Sequence, residues 1–389
     1  MRVGDDYCTQ LVSDLAEVGR ARWDALIAQD PDASLLVRYD FLHALHASGC
    51  AAPDTGWAPQ FLTLWQGDTL AAAVPLYVKS HSYGEYVFDW SWADAYNRHR
   101  VPYYPKLLSA VPFTPATGPR ILVAEGVELR EALAAFLPAL REACERRYSS
   151  WHLLFPEPAL AARCAELGLL RRTGVQYHWQ NRGYASFEDF LARFASRKRK
   201  QLKKERRQVA EQGLEIRRLR GAQIDAAMWE RFYVFYQMTY ARRSGHGGYL
   251  SREFFHAIGE TMPENLLLVV ALREGEPVAG ALNLIGDDTL YGRYWGCIED
   301  YAQLHFELCY YQGIEFCIEQ GLARFDAGAQ GEHKLARGFE PVITESFHHI
   351  AHEGFREAIA DFLRRECVSV EGFRQEATQS LPFRKDGED

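Results

Sequence analysis

The sequence lacks the features of several specialised protein classes. No stretch approaches the roughly 20 consecutive apolar residues that cross a bilayer, and residues 1–30 contain no apolar core of signal-peptide length. None of the eight cysteines belongs to a Cys-x-x-Cys pair, and the chain has no low-complexity tract. We therefore expect a globular protein of the cytoplasm whose thiols are reduced and buried rather than paired in disulfides.

Acidic charge predominates, which argues against unspecific coating of nucleic acid. The chain has 52 acidic and 44 basic residues, for a net charge of −8 at pH 7. One segment departs from this balance, because residues 197–207 hold eight Lys or Arg in eleven positions. Such a helix contacts phosphate groups, or it is a solvated helix that pairs with the acidic surface of its own chain. Arg197, Lys200 and Lys204 are the candidate phosphate-binding residues under the first alternative.

Length and an internal repeat indicate two domains. A chain of 389 residues exceeds one usual core. Residues 61–78 and 267–286 share the layout of strand, glycine turn and strand, in which Gly67 corresponds to Gly275. Amphipathic helical stretches precede each hairpin. The helical candidates before the second hairpin are residues 226–244 and 252–261.

An aromatic segment follows each hairpin and extends the repeat. We interpret both segments, residues 86–92 and 291–295, as strands. The repeat predicts two copies of one α/β module, an N-terminal module at 1–180 and a C-terminal module at 181–389.

Residues 326–341 carry the densest group of functional side chains. Gly328, Gly331 and Gly338 permit left-handed backbone, so we predict an irregular ligand loop rather than regular structure. The polar candidates in this loop are Gln330, Glu332, His333, Lys334 and Arg337. The alternative is a solvated turn between a buried strand and an edge strand.

A predicted helix at residues 303–321 precedes this loop and carries an unusual carboxylate. Glu307 falls on the apolar side of the helix, beside Tyr310, Tyr311 and Ile314. Buried carboxylates are uncommon unless they are paired, and an apolar site suits a carboxylate that transfers protons. The alternative is a structural role, in which Glu307 caps backbone amides or pairs with an arginine.

The order of helix, helix, three-strand meander, helix and strand resembles the Gcn5-related N-acetyltransferase (GNAT) superfamily, and it occurs twice. Residues 196–216 resemble the basic helix and strand that open the second domain of Fem-type peptidoglycan aminoacyltransferases, and residues 326–339 are similar to their closing strand and loop. Over nearly its full length the chain resembles the Fem-like group of predicted N-acyltransferases. The resemblance implies an α/β fold of tandem GNAT-like modules, each a mixed, largely antiparallel sheet flanked by helices.

The same resemblance implies a reaction and its partners. It implies transfer of an acyl or aminoacyl group from a thioester or an aminoacyl-tRNA to a small-molecule or peptide amine, without a tightly bound cofactor or metal. Ordinary acetyltransferases of the superfamily hold the pyrophosphate of coenzyme A in a Gln/Arg-x-x-Gly-x-Gly/Ala loop. The chain reads GCIEDYAQLH after Trp295 and has no such loop in either half. This absence favours aminoacyl-tRNA over acyl-CoA as the donor.

Within this reading the catalytic candidates are Glu307, His333 and Lys334. Glu307 or His333 removes a proton from the attacking amine, while Lys334 and Arg337 hold donor phosphate or stabilise the oxyanion. The substrate-binding candidates are Asp89, Trp92, Asn283, Arg293, Trp295, Gln330, Glu332 and Arg337. The alternative is a catalytically silent module that binds a cell-wall precursor, a peptide or RNA. Side chains of Glu307 and residues 332–337 that diverge onto separate surfaces would favour this alternative.

Overall fold

The computed structural model describes residues 2–3, 7–28, 35–245, 247–329 and 331–384. The chain folds into two compact units, each built from two segments. Unit 1 comprises Met1–Gly174 and Ile343–Gly372, and unit 2 comprises Val175–Val342 and Phe373–Asp389. The division into duplicated modules at 1–180 and 181–389 stays a prediction, because compact units need not share the bounds of a sequence repeat.

Strands and helices are interspersed along the chain. Up to the basic helix the elements are β1 (Arg2–Val3), β2 (Tyr7–Val12), α1 (Leu15–Val18), α2 (Arg20–Ala25), α3 (Tyr39–Ala47), β3 (Trp57–Pro59), β4 (Phe61–Gln66), β5 (Thr69–Val74), β6 (Leu76–Lys79), α4 (Trp90–Arg98), β7 (Lys106–Ser109), β8 (Leu122–Val123), α5 (Leu129–Arg146), β9 (Ser150–Leu154), α6 (Pro158–Glu166), β10 (Leu170–Gln180) and α7 (Phe187–Ala192). They continue as α8 (Ser196–Ala210), β11 (Leu214–Arg220), α9 (Ala226–Ser244), α10 (Arg252–Thr261), β12 (Leu266–Arg273), β13 (Glu276–Ile285), β14 (Thr289–Cys297), α11 (Leu304–Phe306), α12 (Gln312–Gln320), β15 (Arg324–Asp326), β16 (Glu340–Ile350) and α13 (Glu353–Gln379).

Unit 1 contains two groups of strands. The first is a five-stranded antiparallel sheet in the order β1-β2-β4-β5-β8. The second follows the order β3-β6-β7-β9-β16, in which β7 and β9 run parallel. Helix α5 joins β7 to β9 and packs on β4 and β9. Its apolar face carries Phe136 and Leu140 into a core that also contains Trp151.

Unit 2 contains strands in the order β11-β12-β13-β14-β15-β10, and only β14 and β15 among them pair in parallel. β12 is apolar and buried over seven consecutive residues, as a central strand covered on both faces requires. Helix α9 packs on β14. At its start the side chain of Asp225 accepts a hydrogen bond from the amide of Met228. At its end Gly245 takes the left-handed conformation that commonly terminates helices.

Both units contain a parallel strand pair joined by a helix. In unit 1 the pair is β7 and β9 with α5 between them, and in unit 2 it is β14 and β15 with the helical segment 304–320 between them. The predicted strand at residues 86–92 is wrong, because Trp90–Arg98 forms a helix. Trp92 and Tyr96, spaced one helical turn apart, bury one face of that helix. The first strand of the parallel pair in unit 1 is therefore β7.

Two further local predictions need correction. The segment 326–341 is not wholly irregular, because Glu332–Arg337 forms a 3-10 helix. Its three glycines do take the predicted positive φ values, at 86°, 113° and 82°. The helix at 304–320 is interrupted by a π-helical turn at Glu307–Tyr311, which changes the directions in which these side chains point.

All eight cysteines carry free thiols. Among the residues with a described structure, no helix is long and apolar enough to cross a membrane.

Candidate active site

Two buried charges meet in unit 2 at the end of the parallel strand pair. Asp326 is the last residue of β15 and lies opposite Tyr291 of β14. Arg293, two residues further along β14, donates from Nη2 to Asp326 Oδ2 at 2.7 Å and from Nη1 to Oδ1 at 3.1 Å. Burial would raise the pKa of Asp326, but the facing charges of Arg293 and His178 outweigh it and hold this pKa below its ordinary value. The pair is therefore ionised and rigid.

Asp326 also connects to Lys334 through a single glycine. The amide of Gly328 donates to Asp326 Oδ1 at 2.9 Å, and the carbonyl of Gly328 accepts from Lys334 Nζ at 2.6 Å. Lys334 is only 1% exposed. Burial, together with the charge of Arg293, lowers the pKa of Lys334 to about 8 against the opposing effect of Asp326. The ammonium thus lies buried near the Asp326–Arg293 pair and has one hydrogen-bond acceptor within the described structure.

His333 adjoins this lysine in sequence but faces outward. The residue is exposed, its ring centroid lies 5.5 Å from that of Phe306, and its Nε2 shares a hydrogen bond of 2.8 Å with the hydroxyl of Tyr310. Partial burial and the neighbouring charges of Arg337 and Lys334 lower the pKa of His333 below its ordinary value. At neutral pH the ring is therefore uncharged and has a free lone pair or N–H, depending on its tautomer.

Arg337 is held by the protein itself. It donates to Glu205 Oε2 at 2.9 Å and to the carbonyl of His333 at 2.8 Å, and its guanidinium lies 3.3 Å from the ring centroid of Phe306. Tyr311 donates to the same carboxylate oxygen. Because the side chain is buried and both of its terminal nitrogens donate to the protein, Arg337 stabilises the turn that carries His333 and Lys334.

Glu307 is buried, as predicted, and is paired with an arginine. Arg206 of α8 donates to both carboxylate oxygens, at 2.8 Å and 3.0 Å, and Gln312 donates at 2.7 Å. The carboxylate lines a surface pocket of about 480 Å³ between α7, α8 and β11. No residue of 332–337 lines that pocket. The structure thus places Glu307 in a different contact group from His333 and Lys334.

The remaining candidates of unit 2 differ in their surroundings. Asn283 is 1% exposed and donates to the carbonyls of Leu267 and Ala281, so it belongs to the sheet core. Trp295 is half-buried, with its ring 5.2 Å from that of His305. Glu332 is exposed. Gln330 lies outside the described residues.

Asp89 and Trp92 lie in unit 1, within a second buried cluster of titratable groups. Lys106 donates to Glu85 at 2.8 Å and also contacts Asp89, which accepts from the hydroxyl of Tyr103 at 2.6 Å. All of these side chains are less than 5% exposed. Burial opposes the charge on Lys106, but Glu85 and Asp89 together raise its pKa above the ordinary value. The charges of this cluster pair with one another, and a substrate-binding role for Asp89 and Trp92 stays a prediction.

The cations of α8 divide into paired and unpaired residues. Arg197, Lys200 and Lys204 are exposed and recur at helical spacing, and the described residues include no acidic partner for them. Lys203 pairs with Glu188 at 2.6 Å, and Arg207 approaches Glu211 at 3.6 Å. The predicted pairing with the protein's own acids therefore holds for part of the helix, and phosphate contact by the unpaired residues stays a prediction.

A family model covers nearly the whole chain. The FemAB-like model, described as peptidoglycan biosynthesis/recognition, matches residues 14–385. The chain belongs to the FemAB-like family. A search of the curated proteins gives no significant match. Membership supports acyl- or aminoacyl-group transfer as the general chemistry and leaves the donor and the acceptor open.

Solved structures show that this FemAB-like chain shares its fold with distant proteins. FemX superposes with a TM-score of 0.54 at 12% identity, over 91% of this chain and all of FemX. L-PGS from Bacillus licheniformis gives a TM-score of 0.52 at 10% identity, over 92% of this chain and 99% of that protein. A conserved protein of unknown function from Bacteroides thetaiotaomicron gives 0.50 at 11% identity, over 88% and 99%. These likenesses confirm the predicted mixed α/β fold, and its description as two GNAT-like modules stays a prediction.

Sequence reasoning missed several buried polar residues of this FemAB-like protein. Asp326 marks only the start of the predicted loop, yet it is the acid that pairs with Arg293. Lys106 and His152, in unit 1, stand in short apolar strands. A charged or titratable residue inside an apolar strand is the signal that predicts such a cluster, because burying it requires partners.

Proposed function

We propose that this protein is an N-acyltransferase that moves an activated acyl or aminoacyl group to an amine, with its active site in unit 2 at the end of β15. The observation that carries the proposal is the buried ammonium of Lys334, bound to the carbonyl of Gly328, with the exposed residue His333 adjacent to it in sequence. A fixed cation beside a neutral proton acceptor is what attack of an amine on an ester or thioester needs.

The reaction follows from these two groups. The amine nitrogen attacks the acyl carbonyl carbon, and the carbonyl oxygen becomes an oxyanion. Lys334 keeps two N–H donors beyond the bond to Gly328, and in a water-poor setting they stabilise that oxyanion. His333 takes the proton from the attacking nitrogen, and the tetrahedral intermediate then expels the alcohol or thiol of the donor. The protonated ring returns a proton to that leaving group, so no covalent enzyme intermediate forms.

His333 is favoured over Glu307 as the proton acceptor. Both oxygens of Glu307 already accept hydrogen bonds from Arg206. His333 has one ring nitrogen on Tyr310 and lies at an exposed position. A base must reach the proton that it abstracts, and His333 meets that requirement without breaking an ion pair.

Aminoacyl-tRNA is the donor that we propose. The row of Arg197, Lys200 and Lys204 offers free cations to a phosphate backbone, and the sequence has no pyrophosphate loop for coenzyme A. Acyl-CoA is the alternative donor. The acceptor is proposed to be a small-molecule or peptide amine.

Turnover assays test the proposal directly. The purified chain is incubated with acyl-CoAs or aminoacyl-tRNAs and a panel of amines, at low and high salt, and products are detected by mass spectrometry. We expect transfer from aminoacyl-tRNA that weakens with salt. Lys334→Met should lower kcat on the order of 10²- to 10³-fold, whereas Lys203→Met, a change in a surface ion pair, should leave it unchanged. Equal activity of Lys334→Met and wild type would remove this loop from the mechanism.

A catalytically silent binding module is the second candidate. The observation that favours it is the separation of Glu307 from His333 and Lys334, since Glu307 lines a pocket without any residue of 332–337. This candidate predicts binding of a cell-wall peptide or RNA without product from either donor. The same assays, combined with a binding measurement, separate the two candidates.

A further inference from the structure

The ammonium of Lys334 is held by a connected set of groups rather than by one bond. Arg293 donates two hydrogen bonds to the carboxylate of Asp326. Asp326 accepts a hydrogen bond from the amide of Gly328, and the carbonyl of Gly328 accepts one from Lys334. Each partner is buried or half-buried, so water does not replace these contacts at low cost.

We propose that Asp326 and Arg293 are positioning residues for Lys334, which act through Gly328 and through their opposed charges. This inference rests on the proposed function for its catalytic consequence, but the placement of the lysine is a property of the folded protein. Asp326 fixes the turn that presents the Gly328 carbonyl, and Arg293 fixes Asp326.

The backbone at Gly328 explains why a carboxylate is needed there. Gly328 has a φ of 86°, in the left-handed region that side chains with a Cβ rarely adopt. A glycine in a turn samples many conformations unless another group restrains it. The hydrogen bond of 2.9 Å from its amide to Asp326 supplies that restraint. Without it the carbonyl loses its fixed direction, and Lys334 loses its only hydrogen-bond acceptor within the described structure.

The two charges act on Lys334 in opposite directions. Asp326 stabilises the protonated ammonium, whereas Arg293 destabilises it. His178 also belongs to this setting, because its Nε2 lies 3.8 Å from Asp326 Oδ1. Removing one member of the ion pair should therefore shift the titration of Lys334 in a direction that depends on which member is lost. Loss of structure alone would expose the lysine and shift it toward the ordinary value in both cases.

Titration of Lys334 by NMR tests this inference without any substrate. The full chain is labelled with ¹³C at the lysine side chains, and Lys334→Met identifies the signal of Lys334. We expect the titration midpoint to fall in Asp326→Asn, which keeps an oxygen for the Gly328 amide but removes the charge. We expect it to rise in Arg293→Gln. Asp288→Asn, which alters a partly exposed ion pair to β15, is the matched control and should leave the midpoint unchanged.

A further variant tests the placement itself. Asp326→Ala removes the acceptor for the Gly328 amide, so the Lys334 signal should move toward that of an exposed lysine and kcat should fall more than KM changes. Asp326→Asn should retain more of that kcat. Midpoints that shift in the same direction in Asp326→Asn and Arg293→Gln, or do not shift, would overturn the inference. If Asp326→Ala does not fold, as judged by circular dichroism, the other two variants decide. Wild-type protein without turnover would count against the proposed function alone, because the NMR result does not depend on activity.

Discussion

His348 of β16 lies directly opposite His152 of β9, and the Nδ1 atoms of the two rings share a hydrogen bond of 2.6 Å. Unit 2 has a counterpart, because His178 of β10 lies opposite Asp326 of β15. In both units a histidine on the antiparallel neighbour faces a titratable residue on the second strand of the parallel pair. In unit 1 this position holds the histidine pair, and in unit 2 it holds Asp326, which connects to Lys334 through Gly328.

The histidine pair predicts a specific acid sensitivity. Burial, with Lys106 nearby, lowers the pKa of His152 to about 3, and burial with His152 nearby lowers that of His348 well below its ordinary value. The unfolded chain therefore binds protons below pH 6.5 that the folded chain does not, so this pair costs stability as the pH falls from about 6.5 toward 3. His348→Gln should reduce the pH slope of the unfolding free energy by about 1.4 kcal/mol per pH unit in that window.

Urea unfolding at pH 8, 6, 5 and 4 measures this difference. Glu85, whose pKa burial raises to about 7, contributes with the opposite sign between about pH 4.5 and 7. The comparison of variant with wild type cancels that contribution, provided that the cluster stays intact. The exposed His99 offers the control His99→Gln, for which the wild-type slope should persist. An unchanged slope in His348→Gln would show that the pair is protonated in the fold.

The unpaired cations of α8 predict the salt dependence of donor binding. If Arg197, Lys200 and Lys204 each neutralise a phosphate, changing all three to Gln should reduce the slope of log K against log salt by about 2. Filter binding of tRNA between 50 and 300 mM salt measures that slope. The matched control is Lys203→Gln with Arg207→Gln, which removes two cations that pair with acids of the protein. Equal losses from both sets would indicate a response to net charge rather than a binding row.

Local signals explain the parts of the fold that the sequence predicts well. The predicted bounds of α9 and α10 agree with the structure, Ala226–Ser244 and Arg252–Thr261. Asp225 and Ser251 cap the first turns of these helices, and N-caps are readable from sequence alone. Short aromatic runs are ambiguous by comparison. The segment around Trp90 has no period long enough to separate strand from helix, and burial of Trp92 and Tyr96 on one face decides the outcome.

The sequence did not identify the ion pairs of the candidate site, because their partners are distant in sequence. Arg206 and Glu307 are 101 residues apart, and Arg293 and Asp326 are 33 residues apart. Local spacing predicts that Glu307 is buried, but it does not identify the cation that meets it. The role of a buried charge depends on that partner, so the sequence predicts where titratable groups concentrate and not which of them stay free.

The close packing of Gly296 predicts that unit 2 does not tolerate a side chain at this position. A Cβ atom at Gly296 of β14 would lie 2.1 Å from the carbonyl oxygen of Phe235 in α9. Backbone cannot move aside as a flexible side chain does, so Gly296→Ala should destabilise the protein by about 3 kcal/mol or more. Thermal or urea unfolding measures the effect. Gly372→Ala, at an exposed helical position with nothing within 4 Å, should stabilise the protein by up to about 1 kcal/mol, and similar results for both would contradict the packing argument.

Glu307→Gln separates a structural carboxylate from a catalytic one. The substitution keeps the shape of the side chain but removes the charge that faces Arg206, whose guanidinium retains Glu315 as a partner at 2.5 Å. We expect a loss of about 1–3 kcal/mol in the unfolding free energy and a kcat near that of wild type when both proteins are assayed well below their melting temperatures. His333→Gln should show the converse, with little loss of stability at its exposed site and a fall in kcat on the order of 10²-fold or more. If Glu307→Gln instead loses kcat while His333→Gln keeps it, Glu307 is the base, and substrate binding must break its pair with Arg206.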